Sequence, residues 1–64
     1  MIIFKKDELL SIGNFPARYF AQNEKEYIFY LLKSDWKTEL DLITIPANSL
    51  KNINITRGLK DKIV

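Results

Sequence analysis

A chain of 64 residues, 47% of them apolar and 12% aromatic, is enough for one hydrophobic core and too short for two, and it is too apolar to stay disordered. Cysteine and histidine are both absent, which removes disulfides, thiolate and imidazole metal sites, and the commonest catalytic base and thiol nucleophile. The formal charge of +2 and isoelectric point near 9.0 come from ten basic residues interspersed with eight acidic ones, a balance that permits nucleic-acid contact without building a dedicated basic patch.

Met1 to Lys6 (MIIFKK) is β-branched at Ile2 and Ile3 and closes on two lysines, which suits a first or edge strand. Asp7 then stands where it can cap a short helix over Glu8 to Ile12. Gly13-Asn14 supplies a left-handed exit, and Leu9, Leu10 and Ile12 turn to the core. Phe15-Pro16 enforces an extended entry into a strand over Ala17 to Gln22. The polar run Asn23 to Glu26 reads as a turn, and centring it on Glu24-Lys25 pairs Phe20 with Phe29, Tyr19 with Tyr30, and Arg18 with Leu31.

The stretch YIFYLLKSDWKTELDLITI, Tyr27 to Ile45, holds the longest apolar run and the single tryptophan, and it reads as a β-hairpin. With Asp35 and Trp36 as its two turn residues, Ser34 faces Lys37 and the ladder runs Leu31 to Leu40, Phe29 to Leu42 and Tyr27 to Thr44. That register puts Tyr27, Phe29, Leu31, Leu40 and Leu42 on one face. Ile28, Tyr30, Leu32, Ile43 and Ile45 lie on the other, beside Glu26, Glu39 and Asp41. A strand apolar on both sides asks for cover on both, from a small closed barrel, from a helix on the back of the sheet, or from a homodimer.

Pro46 ends the hairpin and opens a helical turn over Ala47 to Lys51. Asn52 to Thr56 then alternates as a last strand with Ile53 and Ile55 inward, Gly58 stops it, and the charged tail ends on Ile63 and Val64, two apolar residues that suit docking on the core. The fold class expected is mostly β: one domain over residues 1–64, an antiparallel meander closing as an SH3-like barrel or five-strand sheet, with a short N-terminal helix. The competing arrangement is an α+β open sheet with the Asp7 helix packed on it. The Ile-Pro-Ala-Asn segment, within Ile45 to Leu50, resembles the closing segment of SH3 domains, where Pro-x-Asn precedes a 3₁₀ turn and the last strand. The acidic-aromatic motif and paired tryptophans of those domains have no counterpart here, and Ser49 stands where they carry tyrosine. The resemblance therefore implies topology and not polyproline recognition.

The chemical inventory is short. Gly13 and Gly58 are the only glycines, so no phosphate loop exists. Glu26, Glu39 and Asp41 share a strand face, but a solvated rim accounts for them better than a paired-carboxylate or hard-cation site in so small a chain. The expectation is no enzyme, no cofactor and no metal. The Asn54-Ile55-Thr56 sequon lies in a chain with no signal-peptide pattern and no apolar run of about 18 residues, which points to a cytoplasmic protein. Binding remains, and the first candidate is recognition of another protein through Trp36, either exposed at the hairpin tip between Asp35 and Lys37 or folded back over the rim, with Lys33, Arg18, Tyr30 and Tyr19 as the other candidate contacts. The second is a nucleic acid stacked on Tyr19, Tyr30 or Trp36, its phosphates met by Arg18, Lys33, Lys37 and Lys51. Isoleucine, lysine and asparagine make up about a third of the chain, as AT-rich coding sequences produce, so an inhibitor or accessory factor of a phage or mobile element is the setting that fits.

Overall fold

The computed structural model describes residues 3–58. Five strands form one antiparallel sheet: β1 (Leu9–Ile12), β2 (Phe15–Gln22), β3 (Glu26–Leu32), β4 (Glu39–Pro46) and β5 (Ile55–Thr56), with a 3₁₀ helix over Ala47–Asn52 between the last two. The order across the sheet is β4-β3-β2-β1-β5, so among the described residues β4 and β5 are its two edges and the sheet is not closed. The chain is thus mostly β, and the helical turn after Pro46 lies where proline's missing N–H and preset φ favour one. Of the expected last strand, Ile55 and Thr56 pair with Ile12 and Ser11 of β1. The expected docking of Ile63 and Val64, like Met1 and Ile2 of the expected first strand, lies outside the described residues.

The N-terminal third corrects the sequence reading. Leu9–Ile12 is a strand and not a helix, and Ile3 to Lys5 is irregular. Four residues cannot repay helix nucleation in water, whereas as β1 they gain ladders on both sides, to β2 and to β5. Asp7 caps nothing; it takes φ 60° in a tight turn closed by the Glu8 N–H on the Lys5 carbonyl at 3.0 Å. Gly13 and Asn14 make the two-residue β1–β2 hairpin turn, with Gly13 at φ 61°. With no helix in this segment, the α+β arrangement falls away.

Both later hairpins begin in the expected register and leave it through a β-bulge. Gln22 pairs with Tyr27 and Ala21 with Ile28, but the register then shifts, so that Tyr19 faces Phe29 and Arg18 faces Tyr30, with Phe20 as the extra residue. At the other hairpin Leu32 pairs with Glu39, Leu40 is extra, and the ladder continues Leu31 to Asp41, Tyr30 to Leu42, Phe29 to Ile43 and Tyr27 to Ile45. Each bulge exchanges the faces of the strand beyond it. Phe20 and Leu42, expected opposite Phe29, are about half exposed at 48% and 49%, and Ile43 and Ile45, expected outside, pack in the core.

The core is centred on Phe29, which is fully buried, with Leu10, Ala17, Tyr19, Tyr27, Ile45 and Leu50 around it. Phe4, from the irregular N-terminal arm, fills the place that a covering helix would take. Its ring stacks on Tyr19 at 5.2 Å and meets Tyr27 and Phe29 edge-on at 5.7 and 5.5 Å, and each such pair contributes about 0.5–1.5 kcal/mol beyond simple burial. Arg57 holds that arm from the far end of the chain. Its guanidinium lies 4.7 Å over the Phe4 ring, donates to the Ile3 carbonyl at 2.9 Å, and grips both oxygens of Glu8 at 2.7 and 2.8 Å. The Arg57 hydrogen bonds hold the Glu8 carboxyl below the ordinary carboxylate value.

Candidate interaction surface

The outer face of the sheet is read off the pairing. Leu9, Arg18, Tyr30 and Leu42 form one row across β1, β2, β3 and β4, and Ala21, Ile28 and Thr44 form the next. The bulge at Phe20 re-aims its ring, which meets Tyr30 edge-on at 5.3 Å. Arg18 lies over the same Tyr30 ring at 5.0 Å from its centroid. Aromatic and apolar side chains therefore surround one cation.

That cation is already compensated. Glu39 accepts from Arg18 Nη2, and Asp7 Oδ1 stands 3.6 Å from Arg18 Nε. The Nε–H is itself buried, with no hydrogen-bond acceptor among the described residues. Two carboxylates against one guanidinium leave this spot locally acidic, which discourages a phosphate and tolerates an apolar or cationic partner group.

The β3–β4 loop adjoins this face. It spans four residues, Ser34 to Lys37, between Lys33 and Thr38, whose backbones pair at 2.8 Å, and not the two-residue turn with Ser34 facing Lys37. The Asp35 carboxylate accepts the Lys37 and Thr38 amides, both at 2.8 Å, and the Thr38 hydroxyl. The Thr38 hydrogen bonds, from hydroxyl and then backbone, lower its pKa from 3.8 to about 2. Asn23 performs the same service in the β2–β3 turn, accepting the Lys25 and Glu26 amides at 2.8 and 2.9 Å. Trp36 closes the loop at φ 61°, its amide donating to the Lys33 carbonyl at 2.9 Å, and its side chain is half-buried between exposed Lys33 and Lys37.

Of the six residues singled out from sequence, the structure brings Arg18 and Tyr30 together on the outer face and places Lys33, Trp36 and Lys37 in the loop beside it. Tyr19 lies elsewhere. It is 8% exposed, its hydroxyl donates to Gln22 Oε1 at 3.0 Å, and burial pushes its phenol pKa up, so its ring belongs to the core. Lys51 sits on the 3₁₀ helix after β4. Sequence reasoning missed Phe20 and Leu42, because two bulges turn them outward, and Asp7, because the expected helix put it in a cap.

No cluster of acidic residues among the described residues could hold a metal ion, and no described helix is long and apolar enough to cross a membrane. Comparison with protein-family models, with characterised proteins and with solved structures gives no match.

Proposed function

We propose that this chain is a non-enzymatic binding module that recognises another protein through the outer face of its sheet. One observation carries the reading: Phe20 and Leu42 stand half exposed around a charge-compensated Arg18 stacked on Tyr30. Aromatic, arginine and aliphatic groups packed this way have the composition of an interface centre, and the ion pairs spare a partner the cost of meeting an unpaired charge. Trp36 extends the surface along the adjoining loop, with Lys33 and Lys37 as its polar rim. The 3₁₀ turn leading from β4 to a last strand beside β1 supports an SH3-like arrangement as the finer description of the fold. A cytoplasmic inhibitor or accessory factor of a phage or mobile element is the role that suits so small a module.

The test is capture of partners by the immobilised chain, with and without nuclease, compared among the natural chain, Phe20→Ser, Leu42→Ser and the double reversal Lys33→Glu with Lys37→Glu. Capture that survives nuclease, falls at least tenfold with either apolar substitution, and persists in the charge reversal is the expected result. Micromolar binding to a single-stranded oligonucleotide, lost on the charge reversal and falling with salt at a log-log slope of about −0.7 per phosphate contact, would replace this reading with the nucleic-acid one.

A further inference from the structure

Among the described residues β4 ends the sheet, so one of its sides carries backbone groups with no described strand beside it. The phase of the ladder shows which groups these are. The Leu42 N–H donates to the Asp41 carboxylate at 2.9 Å and so turns away from β3. Antiparallel alternation then directs Thr44 outward as well, and Pro46, which has no N–H, falls on the next outward position, opposite Glu26. The Ala47 amide, donating inward to the Lys25 carbonyl at 2.8 Å, confirms the phase.

Both ends of this edge are closed to an added strand. The bulge at Leu40 breaks the ladder at one end, and Pro46 removes a donor at the other. Between them Leu42 and Thr44 present outward amides and carbonyls, and among the described residues the Leu42 amide is held by the carboxylate of its neighbour. The window is short. It also lacks a cation: β4 reads ELDLITIP, with Asp41 exposed and no basic residue, while Glu39, beyond the bulge, is paired with Arg18.

We propose that the free edge of β4 is a strand-addition site for an extended segment of a partner protein, one in which lysine or arginine alternates with apolar residues. Asp41 is its latch. The carboxylate releases the Leu42 N–H to a carbonyl of the incoming strand and turns to that strand's cation, while the segment's apolar side chains continue the outer face beside Leu42. A second copy of this chain fits the site less well, since β4 against β4 brings no cation to Asp41. The inference rests on the protein-recognition reading and adds where the partner's backbone goes.

The test is an amide NMR titration of the full chain with two synthetic heptapeptides, one alternating lysine and valine and one alternating glutamate and valine. The lysine peptide is expected to move the Leu42 and Thr44 amides most, and the glutamate peptide to leave them in place. Thr44→Pro deletes an outward N–H at a position equivalent to that of Pro46, so the inner ladder and the melt should persist while lysine-peptide affinity falls tenfold or more. Asp41→Lys, which does not depend on that variant folding, should transfer the preference to the glutamate peptide. Failure of both peptides to bind at millimolar concentration would overturn the proposal. So would binding unchanged by Thr44→Pro, with shifts confined to Phe20 and Tyr30. A captured partner released by Phe20→Ser and Leu42→Ser but retained by Thr44→Pro would overturn the edge site alone and leave the outer-face reading standing. Capture abolished by nuclease would overturn that reading itself.

Discussion

The bulge at Leu40 decides which residues of β4 are core, and a pair of substitutions reads it directly. Ile45 is 7% exposed and packs with Tyr27 and Phe29, whereas Leu42 is 49% exposed on the opposite face. Ile45→Ala deletes methyl and methylene groups from a closed site, so the lost transfer free energy of about 2 kcal/mol is joined by a cavity term, for about 2–4 kcal/mol in all. Leu42→Ala deletes a side chain already half in water and leaves a gap that water fills, which should cost about 1 kcal/mol or less. For a domain of this size those losses correspond to a melting temperature lowered by roughly 10–25 °C and by less than about 8 °C. Paired thermal and urea melts measure both. Equal losses, or a larger loss at Leu42, would restore the ladder without a bulge, in which Leu42 faces inward and Ile45 outward, and would remove the outer face described above.

Three further outcomes follow from the same geometry. Phe29→Ala empties the centre of the aromatic cluster and should cost about 3–5 kcal/mol, comparable to the whole stability of a 64-residue domain, so loss of the cooperative melt is expected and a transition within a few degrees of the natural one would contradict the core assignment. Arg57→Ala frees Phe4, Glu8 and the Ile3 carbonyl together. It should cost about 1–2 kcal/mol and speed amide exchange along residues 3–8, and exchange confined to the mutated site would show that the arm is held by packing alone. The Asp35 carboxyl has its folded pKa lowered from 3.8 to about 2. The stability it adds is therefore complete above pH about 4 and is lost as pH falls toward 2. Thr38→Val, which removes the leading cause, should raise that pKa toward the ordinary value in a carboxyl-carbon NMR titration, and an unmoved titration would mean that the two amides suffice to hold it.

The sheet has a plain basis in local pattern. Alternation and aromatic content in residues 17–45, proline at position 46 and the polar turns at Asn23 and Asp35 depend on near neighbours in the chain, and all of them point to an antiparallel meander followed by a helical turn. The register near each turn was legible for the same reason: Gln22 to Tyr27 and Leu32 to Glu39 pair as their turns dictate. The N-terminal segment was not legible, because LLSI suits a strand or a helical turn and Gly13-Asn14 serves a helix exit as well as a two-residue hairpin; the ladders with β2 and with β5, the latter more than 40 residues away, decide it. The bulges were not legible either. A bulge follows from a sum over the whole sheet: admitting Phe20 and Leu40 as extra residues lets Tyr19, Phe29, Ile43 and Ile45 share one core with Phe4 and Leu50. The same rearrangement made the outer face, since sequence alone chose Arg18, Tyr30 and Trp36, while the tertiary structure removed Tyr19 to the core and brought Phe20, Leu42 and Asp7 to their side. Local propensities sort residues into strands, but which face each one shows is settled by the packing that the assembled core accepts.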